Sequence, residues 1–210
     1  MNIEKNRIYF YQEYSYKNFI TLSDDELRMV LSWRNSPEVR QWMMTTEAIE
    51  LNTHLEYVEE LKVRNDVFYW LILRQGAPIG VLNVTNVDFN TKIGEPGFYL
   101  SPDLLNRGEG ILVLQNYKAF LLNIIGFDQL LGHNYIENTN ALQLSLFFGA
   151  TITGIEEKDG RKYISLCLKK EQFRDYKQER LILSFVKYNK ENPILVDKIL
   201  SGYKIIKYDR

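Results

Sequence analysis

The segment Asn106–Gly110, with the sequence NRGEG, carries residue types suited to chemistry with a phosphorylated ligand. It follows a strand-like run that ends at Leu100 and precedes an apolar stretch with helical spacing. A helix N-terminus presents unpaired backbone N–H groups and the positive end of the helix dipole, which together favour a diphosphate. Gly108 and Gly110 lack Cβ atoms where phosphate approaches the backbone. The same residues also fit a plain loop, and they do not form a P-loop.

The elements that must position this turn alternate between helical and strand periodicity. Ser23 and Glu26 have capping-box spacing at the start of a first helix, which ends near Asn35. On the helix after the NRGEG turn, Lys118 stands at the edge of the apolar face, so we expect its ammonium group to reach water. The other predicted helices cover 51–62, 108–125 and 139–148, and the predicted strands cover 8–20, 67–74, 79–86, 93–100, 129–137, 151–158 and 161–169.

This order predicts a mixed α/β domain of the α+β type. Its sheet should be twisted, mostly antiparallel and built from about seven strands, with helices on its faces and one helical crossover in its middle. We assign this domain to residues 1–173 and a C-terminal extension to residues 174–210. The extension has two apolar clusters, Leu181–Val186 and Ile194–Leu200, separated by Asn192-Pro193. It either packs on the domain, forms a homodimer or docks another partner.

Bulk composition excludes several classes of protein. The chain has 210 residues, a formal net charge of −1 and 45% hydrophobic residues, which is typical of a globular protein without a nucleic-acid partner. No apolar stretch approaches the ~18 residues of a membrane span, and the N-terminus lacks an apolar signal core. One cysteine and two histidines argue against a disulfide and against a metal site. We therefore predict a cytoplasmic protein with small-molecule substrates.

Two blocks resemble the GNAT superfamily of N-acetyltransferases. The first pattern has Gln or Arg, two variable residues, Gly, one variable residue, and Gly or Ala. Gly108 and Gly110 match its small positions, whereas Leu105 stands where Gln or Arg is usual. In the second block, Asn138 and Ala141 match the start of a helix that ends in Phe-Gly-Ala. The resemblance implies the GNAT fold and acetyl-CoA as the acetyl donor.

A narrower resemblance comes from the N-terminal half of the chain. The run WRNSPEVRQWM and the later THLEY are similar to acetyltransferases that act on UDP-linked 4-amino-sugars in pseudaminic acid synthesis. The likeness covers roughly residues 14–173. It implies N-acetylation of a nucleotide-linked amino-sugar by direct attack in a ternary complex. The alternatives are a GNAT enzyme that acetylates a protein N-terminus or another small amine, and a non-catalytic CoA-binding or assembly protein.

The resemblance also implies how acetyl-CoA is bound. The backbone of the strand ending at Leu100 should pair with the pantetheine arm, and one of its N–H groups should hold the thioester oxygen. Asn138 either binds the CoA arm through its amide or caps the following helix. The residues assigned to acetyl-CoA are Phe98, Tyr99, Leu100, Asn106, Arg107, Gly108, Glu109, Gly110, Asn138 and Ala141.

Proton transfer is assigned by the same resemblance to Glu137, Ser145 and Tyr135. Glu137 either accepts the amine proton through water or serves only the next helix N-terminus, and Glu95 is the runner-up base. Ser145 stands where GNAT enzymes usually carry a tyrosine acid, and a serine hydroxyl is a poor proton donor. The thiolate then leaves unaided, or Tyr135 or Tyr99 reaches the sulfur, or the protein is a weakened relative.

The acceptor side is assigned to the first two helices and their connection. An arginine can bind a diphosphate or a uracil edge, and an aromatic ring can stack on a base or a sugar. His54 also fits an ordinary hydrogen-bonded or surface histidine. The substrate-binding candidates are Arg34, Trp42, Met44, His54, Tyr57 and Glu95.

Overall fold

The computed structural model describes residues 1–43, 45–158 and 160–207, and these residues form two compact units that divide between Phe127 and Asp128. Each unit is built around antiparallel strands. In unit 1 the elements are β1 (Tyr9–Tyr11), β2 (Tyr14–Asn18), α1 (Asp24–Asn35), α2 (Pro37–Arg40), α3 (Leu51–Val63), β3 (Phe68–Arg74), β4 (Ala77–Asp88), β5 (Ile93–Leu100) and α4 (Glu109–Ala119). In unit 2 they are β6 (Gln129–Tyr135), α5 (Thr139–Phe147), β7 (Thr151–Lys158), β8 (Arg161–Lys169), α6 (Gln178–Glu191), α7 (Val196–Gly202) and β9 (Ile205–Lys207).

The strands of unit 1 form an antiparallel meander in the order β1-β2-β3-β4-β5. A two-residue turn joins β3 to β4, with φ of 51° at Gln75 and 83° at Gly76, the left-handed values that a tight hairpin turn requires. Successive strands run in opposite directions, so β3 and β5 end at the same edge of the sheet. Arg74 therefore lies at the same edge as the segment that follows Leu100.

The two faces of this sheet pack against different helices, because side chains alternate along each strand. On one face, Leu71 is buried in a core with Val30 of α1 and Leu61 of α3. On the other face, Trp70 is fully buried and meets Phe120 edge to face, with ring centroids 6.2 Å apart. Helices α1 and α3 thus cover one face, and the segment around the end of α4 covers the other.

The interior of α4 is more deeply buried than its sequence indicates. The helix continues as a π-helix over Phe120–Ile125. Lys118 is only 6% exposed, so the prediction that its ammonium group reaches water is wrong. Ile111 and Leu114, on the same helical stripe, are buried as well. Burial lowers the pKa of Lys118 to about 8.

Unit 2 has β8 between β6 and β7, antiparallel to both, and β9 parallel to β7. The segment after β8 contacts α5 and β7. The ring of Phe147 stacks on Tyr176 at 4.4 Å and meets Phe185 of α6 at 5.2 Å. The Nε2 of Gln143 donates to the carbonyl oxygen of Asn192 at 2.9 Å. Residues of the predicted extension are therefore part of unit 2 and make aromatic and polar contacts with its α5.

The mixed α/β class is confirmed, and the differences from the prediction lie at the ends of elements. The stretch predicted as one strand over 8–20 forms β1, β2 and a 3₁₀ turn at Phe19–Thr21. Gln12 has φ of 55°, which reverses the chain between the two strands. Strand β6 ends at Tyr135, so Glu137 lies in a turn, and β9 adds a strand that the sequence analysis did not predict. Asp159 of the predicted hairpin turn lies outside the described residues.

Candidate active site

The turn before α4 contains two left-handed backbone positions. Asn106 has φ of 60° and Gly108 has φ of 79°. Gly108 is the N-cap residue of α4 and supplies no side-chain hydrogen bond to the first turn. An ordinary Ser, Thr, Asp or Asn cap would occupy one of these N–H groups. The N-terminus of α4 is therefore available to an external anion.

No other part of the protein fills the space beside the two glycines of this turn. A Cβ atom built on Gly108 or on Gly110 would meet no heavy atom within 4 Å. The side chain of Arg107 between the two left-handed residues is exposed and adds positive charge. The residues present thus fit the diphosphate of a nucleotide-containing cofactor, which would fill the place of the missing side chains.

An ion pair connects the turn to β3. Glu109, the first residue of α4, accepts a hydrogen bond from Arg74 at 2.6 Å between Oε2 and Nη1. This hydrogen bond raises the pKa of Arg74, which is also hydrogen-bonded to Tyr14. The arginine offsets a negative charge that would otherwise repel a diphosphate. The sequence analysis missed Arg74, although the shared edge of β3 and β5 indicates where it lies.

The side chains of β5 contact other parts of the protein on both faces of the sheet. Phe98 packs on Tyr117 of α4 with centroids 5.1 Å apart. Tyr99 points to the opposite face and donates to the carbonyl oxygen of Val30 at 3.3 Å, and Leu100 is 5% exposed. Burial raises the pKa of Tyr99. Its hydroxyl is therefore a poor proton donor for catalysis, and β5 can serve a ligand mainly through its backbone.

A polar and aromatic cluster lies where α1 and α3 face the sheet. Arg34 of α1 donates from Nη2 to the carbonyl oxygen of Thr45 at 2.6 Å, and its buried Nη1 has no partner in the described chain. Burial lowers the pKa of Arg34, while Tyr99 and Tyr69 act in the opposite direction. Tyr57 of α3 meets Tyr69 of β3 edge to face at 5.7 Å. The structure therefore brings Arg34 and Tyr57 to one aromatic surface.

Two members of this surface were missed by the sequence analysis. Tyr69 lies on the β3 face that α1 and α3 cover, and Asn83 of β4 pairs with Gly97 of β5. A Cβ atom on Gly97 would come within 2.8 Å of Asn83 Oδ1, so the asparagine amide lies over β5. Their alternation along β3 and β4 is visible in the sequence, but the face that each residue occupies depends on strand pairing.

The remaining acceptor candidates differ in their surroundings. His54 is 8% exposed, 6.3 Å from the ring of Phe19, and its Nε2 has no partner in the described residues. Burial lowers its pKa, while a backbone hydrogen bond with Leu27 acts in the opposite direction. Trp42 is 45% exposed, and Glu95 accepts from Asn86 at 2.8 Å. Met44 lies outside the described residues.

In unit 2 the predicted residues of α5 share one helical stripe. Asn138, Ala141 and Ser145 are spaced three and four residues apart. The Oδ1 of Asn138 accepts from the backbone N–H of Ala141 at 3.2 Å, so its oxygen caps the helix. Its Nδ2 remains the group that could donate to a ligand. The predicted cap is therefore observed, and the predicted contact of Asn138 with the CoA arm stays a prediction.

Two further catalytic candidates lie near the end of β6. Glu137 is exposed in the turn between β6 and α5. Tyr135 is 6% exposed, and its hydroxyl oxygen accepts from Tyr163 at 3.3 Å. The guanidinium of Arg161 lies 4.3 Å from the centroid of the Tyr135 ring.

No group of three or more His, Cys, Asp or Glu side chains that could hold a metal ion occurs among the described residues. No helix in the described ranges is long and apolar enough to cross a membrane.

Comparisons with known proteins agree with this architecture. Residues 18–151 match the acetyltransferase (GNAT) domain family. Two relatives from Campylobacter jejuni strains, both named acetyltransferase PseH, are 31% and 29% identical over 153 residues, or 73% of this chain and 92% of theirs.

Solved structures with low identity show the same fold. The Campylobacter jejuni N-acetyltransferase PseH in complex with acetyl coenzyme A is 24% identical with a TM-score of 0.59, covering 74% of this chain and 98% of its own. The Vibrio cholerae spermidine N-acetyltransferase in complex with CoA and spermine is 14% identical with a TM-score of 0.67, covering 77% and 98%. From the family match and the relatives together, this chain belongs to the GNAT acetyltransferases and is an N-acetyltransferase that uses acetyl-CoA.

Proposed function

We propose that this enzyme acetylates the amine of a UDP-linked 4-amino-4,6-dideoxy sugar, in the synthesis of pseudaminic acid. Direct attack of the amine takes place in a ternary complex. The proposal is supported by the relatives named PseH and by the block WRNSPEVRQWM, which resembles acetyltransferases with such acceptors. The cytoplasmic location and the domain boundary at residue 173 remain predictions.

The proposal depends above all on the surroundings of the Arg34 guanidinium group. Its guanidinium group is half-buried, has no carboxylate partner in the described residues, and leaves Nη1 without an acceptor. Leaving such a donor unsatisfied is unfavourable, and a diphosphate oxygen would satisfy it with a charge-assisted hydrogen bond. A polyamine would instead bring further positive charge to Arg34. The acceptor surface therefore favours an anionic amine substrate.

The aromatic residues beside Arg34 fit the rest of a sugar nucleotide. Tyr57 and Tyr69 form an edge-to-face pair there, and Trp42 is 45% exposed on the adjoining segment. Flat rings bind a base or the apolar face of a sugar with little loss of side-chain entropy. We assign Tyr57, Tyr69 and Trp42 to these contacts, and Asn83 to a hydrogen bond with the sugar.

The chemistry in this proposal follows the roles that the resemblance assigns to these residues. Acetyl-CoA supplies the acetyl group as a thioester. A backbone N–H of β5 stabilises the negative charge that develops on the carbonyl oxygen. Glu137 accepts the amine proton through water as the new C–N bond forms and the C–S bond breaks. Tyr135 protonates the thiolate or, with Ser145 in the place of the usual tyrosine, the thiolate leaves unaided.

The test is thiol release from acetyl-CoA with three acceptors: the UDP-linked 4-amino-sugar, spermidine and a peptide with a free N-terminus. We expect turnover with the sugar nucleotide and none above background with the other two. Turnover with spermidine or the peptide, and none with the sugar nucleotide, would show that the enzyme acetylates a different amine.

A matched pair of variants on α1 then tests the role of Arg34. Arg34→Gln should raise the KM for the sugar nucleotide about 10-fold or more, because a charge-assisted hydrogen bond is lost. Its KM for acetyl-CoA should stay unchanged. Arg28→Gln removes an exposed arginine from the same helix and should alter neither value. Equal effects of the two substitutions would contradict the proposed contact.

A further inference from the structure

Helix α6 has a second apolar face that unit 2 does not cover. Its first face packs inward, with Leu181 fully buried and Phe185 against Phe147. On the opposite side, Leu183 is 73% exposed and Val186 is 56% exposed. No described residue of unit 2 buries this second face. A helix that is anchored by one apolar face and exposes apolar side chains on the other indicates an interaction surface.

The exposed face is organised as a stripe of four residues. Glu179, Leu183, Val186 and Lys190 are separated by four, three and four positions, which is the spacing of a helix–helix seam. All four are exposed. The ion pair on α6 joins Lys187 to Glu191. It does not involve Glu179 or Lys190, so both charged ends of the stripe have no ion-pair partner within the described chain.

The stripe is complementary to itself when a second copy runs in the opposite direction. The four-three-four spacing reads the same from either end, so the midpoint between Leu183 and Val186 can lie on a two-fold axis. Leu183 then meets the partner's Val186, and Glu179 meets the partner's Lys190. A parallel arrangement would place like charges together at both ends.

We propose that this stripe is the contact surface for a second copy of the chain, which makes the enzyme a homodimer through antiparallel α6 helices. The surface lies beyond residues 18–151, which match the acetyltransferase family, so the proposal does not depend on the acceptor. The charge pattern favours a second copy of the chain over an unrelated partner, because only a second copy would require Glu179 and Lys190 to be complementary to each other.

The proposed contact is small. Fourteen residues make a helix about 21 Å long, and one such pair buries less than the ~1,600 Å² of a standard interface. The dimer should therefore be concentration-dependent, with a Kd on the order of 10–100 µM.

Sedimentation velocity of the full chain over about 1–500 µM spans this range. The mass should rise from 24.8 kDa toward twice that value as concentration increases. Glu179→Lys alone and Lys190→Glu alone should each weaken the dimer about 10-fold, because each places like charges opposite one another. Both are surface changes, and circular dichroism of each variant verifies that α6 remains helical.

Mixing the two single variants is the decisive experiment. In the mixed dimer both ends of the stripe pair opposite charges, so association should return to the wild-type level. Lys198→Glu, an exposed lysine on α7, is the matched control and should dimerise like the wild type. A wild type that stays monomeric throughout, or a dimer that neither charge change weakens, would overturn the proposal. Failure of the mixture to recover would exclude the antiparallel pairing.

Discussion

Helices α4 and α5 both begin at residues that we assign to acetyl-CoA, but their N-termini are built differently. At α4 the cap residue is Gly108, which offers no side chain to the first-turn N–H groups. At α5 the cap residue is Asn138, whose Oδ1 accepts from the N–H of Ala141. The first turn of α4 thus receives no side-chain cap, whereas one N–H of the first turn of α5 does.

The capped and the uncapped N-terminus suit different chemical groups of acetyl-CoA. An uncapped helix N-terminus stabilises an anion through several N–H groups and the helix dipole, so α4 suits a diphosphate. A capped N-terminus cannot do so with the same strength. At α5 the capping side chain holds its own amide nitrogen in place, and a single N–H donor suits a neutral carbonyl oxygen. We therefore propose that the N-terminus of α4 binds the diphosphate, and the contact of Asn138 with the CoA arm stays a prediction.

The largest expected effect comes from a negative charge in the open N-terminus. Gly110→Asp should weaken acetyl-CoA binding about 100-fold, because a carboxylate near a diphosphate at an effective dielectric of ~20 costs several kcal/mol. Thermal stability should not fall, since aspartate is favourable in the first turn of a helix. Calorimetric titration and a melting curve measure the two quantities. Gly110→Ala is the control and should change binding little, because a Cβ atom there meets no heavy atom within 4 Å and the family pattern accepts alanine.

A smaller effect is expected from the ion pair that offsets Glu109. Arg74→Met should raise the KM for acetyl-CoA about 10-fold with little change in kcat, since it leaves a carboxylate beside the diphosphate. The double variant Arg74→Met/Glu109→Gln should recover most of the loss. Initial-rate kinetics over a range of acetyl-CoA concentrations measure both. A double variant as weak as the single one would show that Arg74 acts through packing rather than charge.

The capped helix should respond differently to two substitutions of Asn138. Asn138→Asp keeps the acceptor oxygen but removes the donor nitrogen, so stability should hold while the KM for acetyl-CoA rises about 5-fold. Asn138→Ala removes both groups and should also lower the free energy of unfolding by about 1 kcal/mol. Kinetics with urea unfolding distinguish the outcomes. Wild-type kinetics for Asn138→Asp would mean that Asn138 is only a cap.

The smallest effect on acetyl-CoA is expected from Lys118, in the interior of α4. Its pKa is about 8 in the folded protein against 10.5 for an ordinary lysine, so the unfolded chain holds the proton more tightly. Stability should therefore rise with pH between these two values. Lys118→Met should abolish this rise and stabilise the fold at pH 7 by about 1–3 kcal/mol.

Urea unfolding at pH 7 and pH 10 checks this prediction. The KM of Lys118→Met for acetyl-CoA should stay within about 2-fold of the wild type, because the N–H donors lie at the helix N-terminus. A large change in KM would mean that the stability of α4, and not its open end, controls binding.

The sequence predicted the features whose causes are local. The turn at Asn106–Gly110, the capping box at Ser23 and the cap at Asn138 each depend on residues a few positions apart. Their geometry follows from spacing and from the conformational freedom of glycine. The resemblance to the acetyltransferases depended on the same short blocks.

Features that depend on strand pairing or on packing were not predicted. Arg74 meets Glu109 only because β3 and β5 end at one edge, and Asn83 covers Gly97 only in the observed register. The sequence predicts a solvent-exposed ammonium group for Lys118, which is in fact buried. Helical periodicity shows which residues share a face, but not how many faces are buried. These features depend on tertiary contacts, so no single segment of the sequence predicts them.

Our proposal is that the open N-terminus of α4 binds the diphosphate of acetyl-CoA. It is tested most directly by comparing acetyl-CoA with acetyl-pantetheine, which lacks the diphosphate, as donors for the wild type and for Gly110→Asp. We expect the substitution to lower kcat/KM for acetyl-CoA about 100-fold and to leave kcat/KM for acetyl-pantetheine within about 2-fold. Equal losses with both donors would contradict the assignment of the diphosphate to this turn.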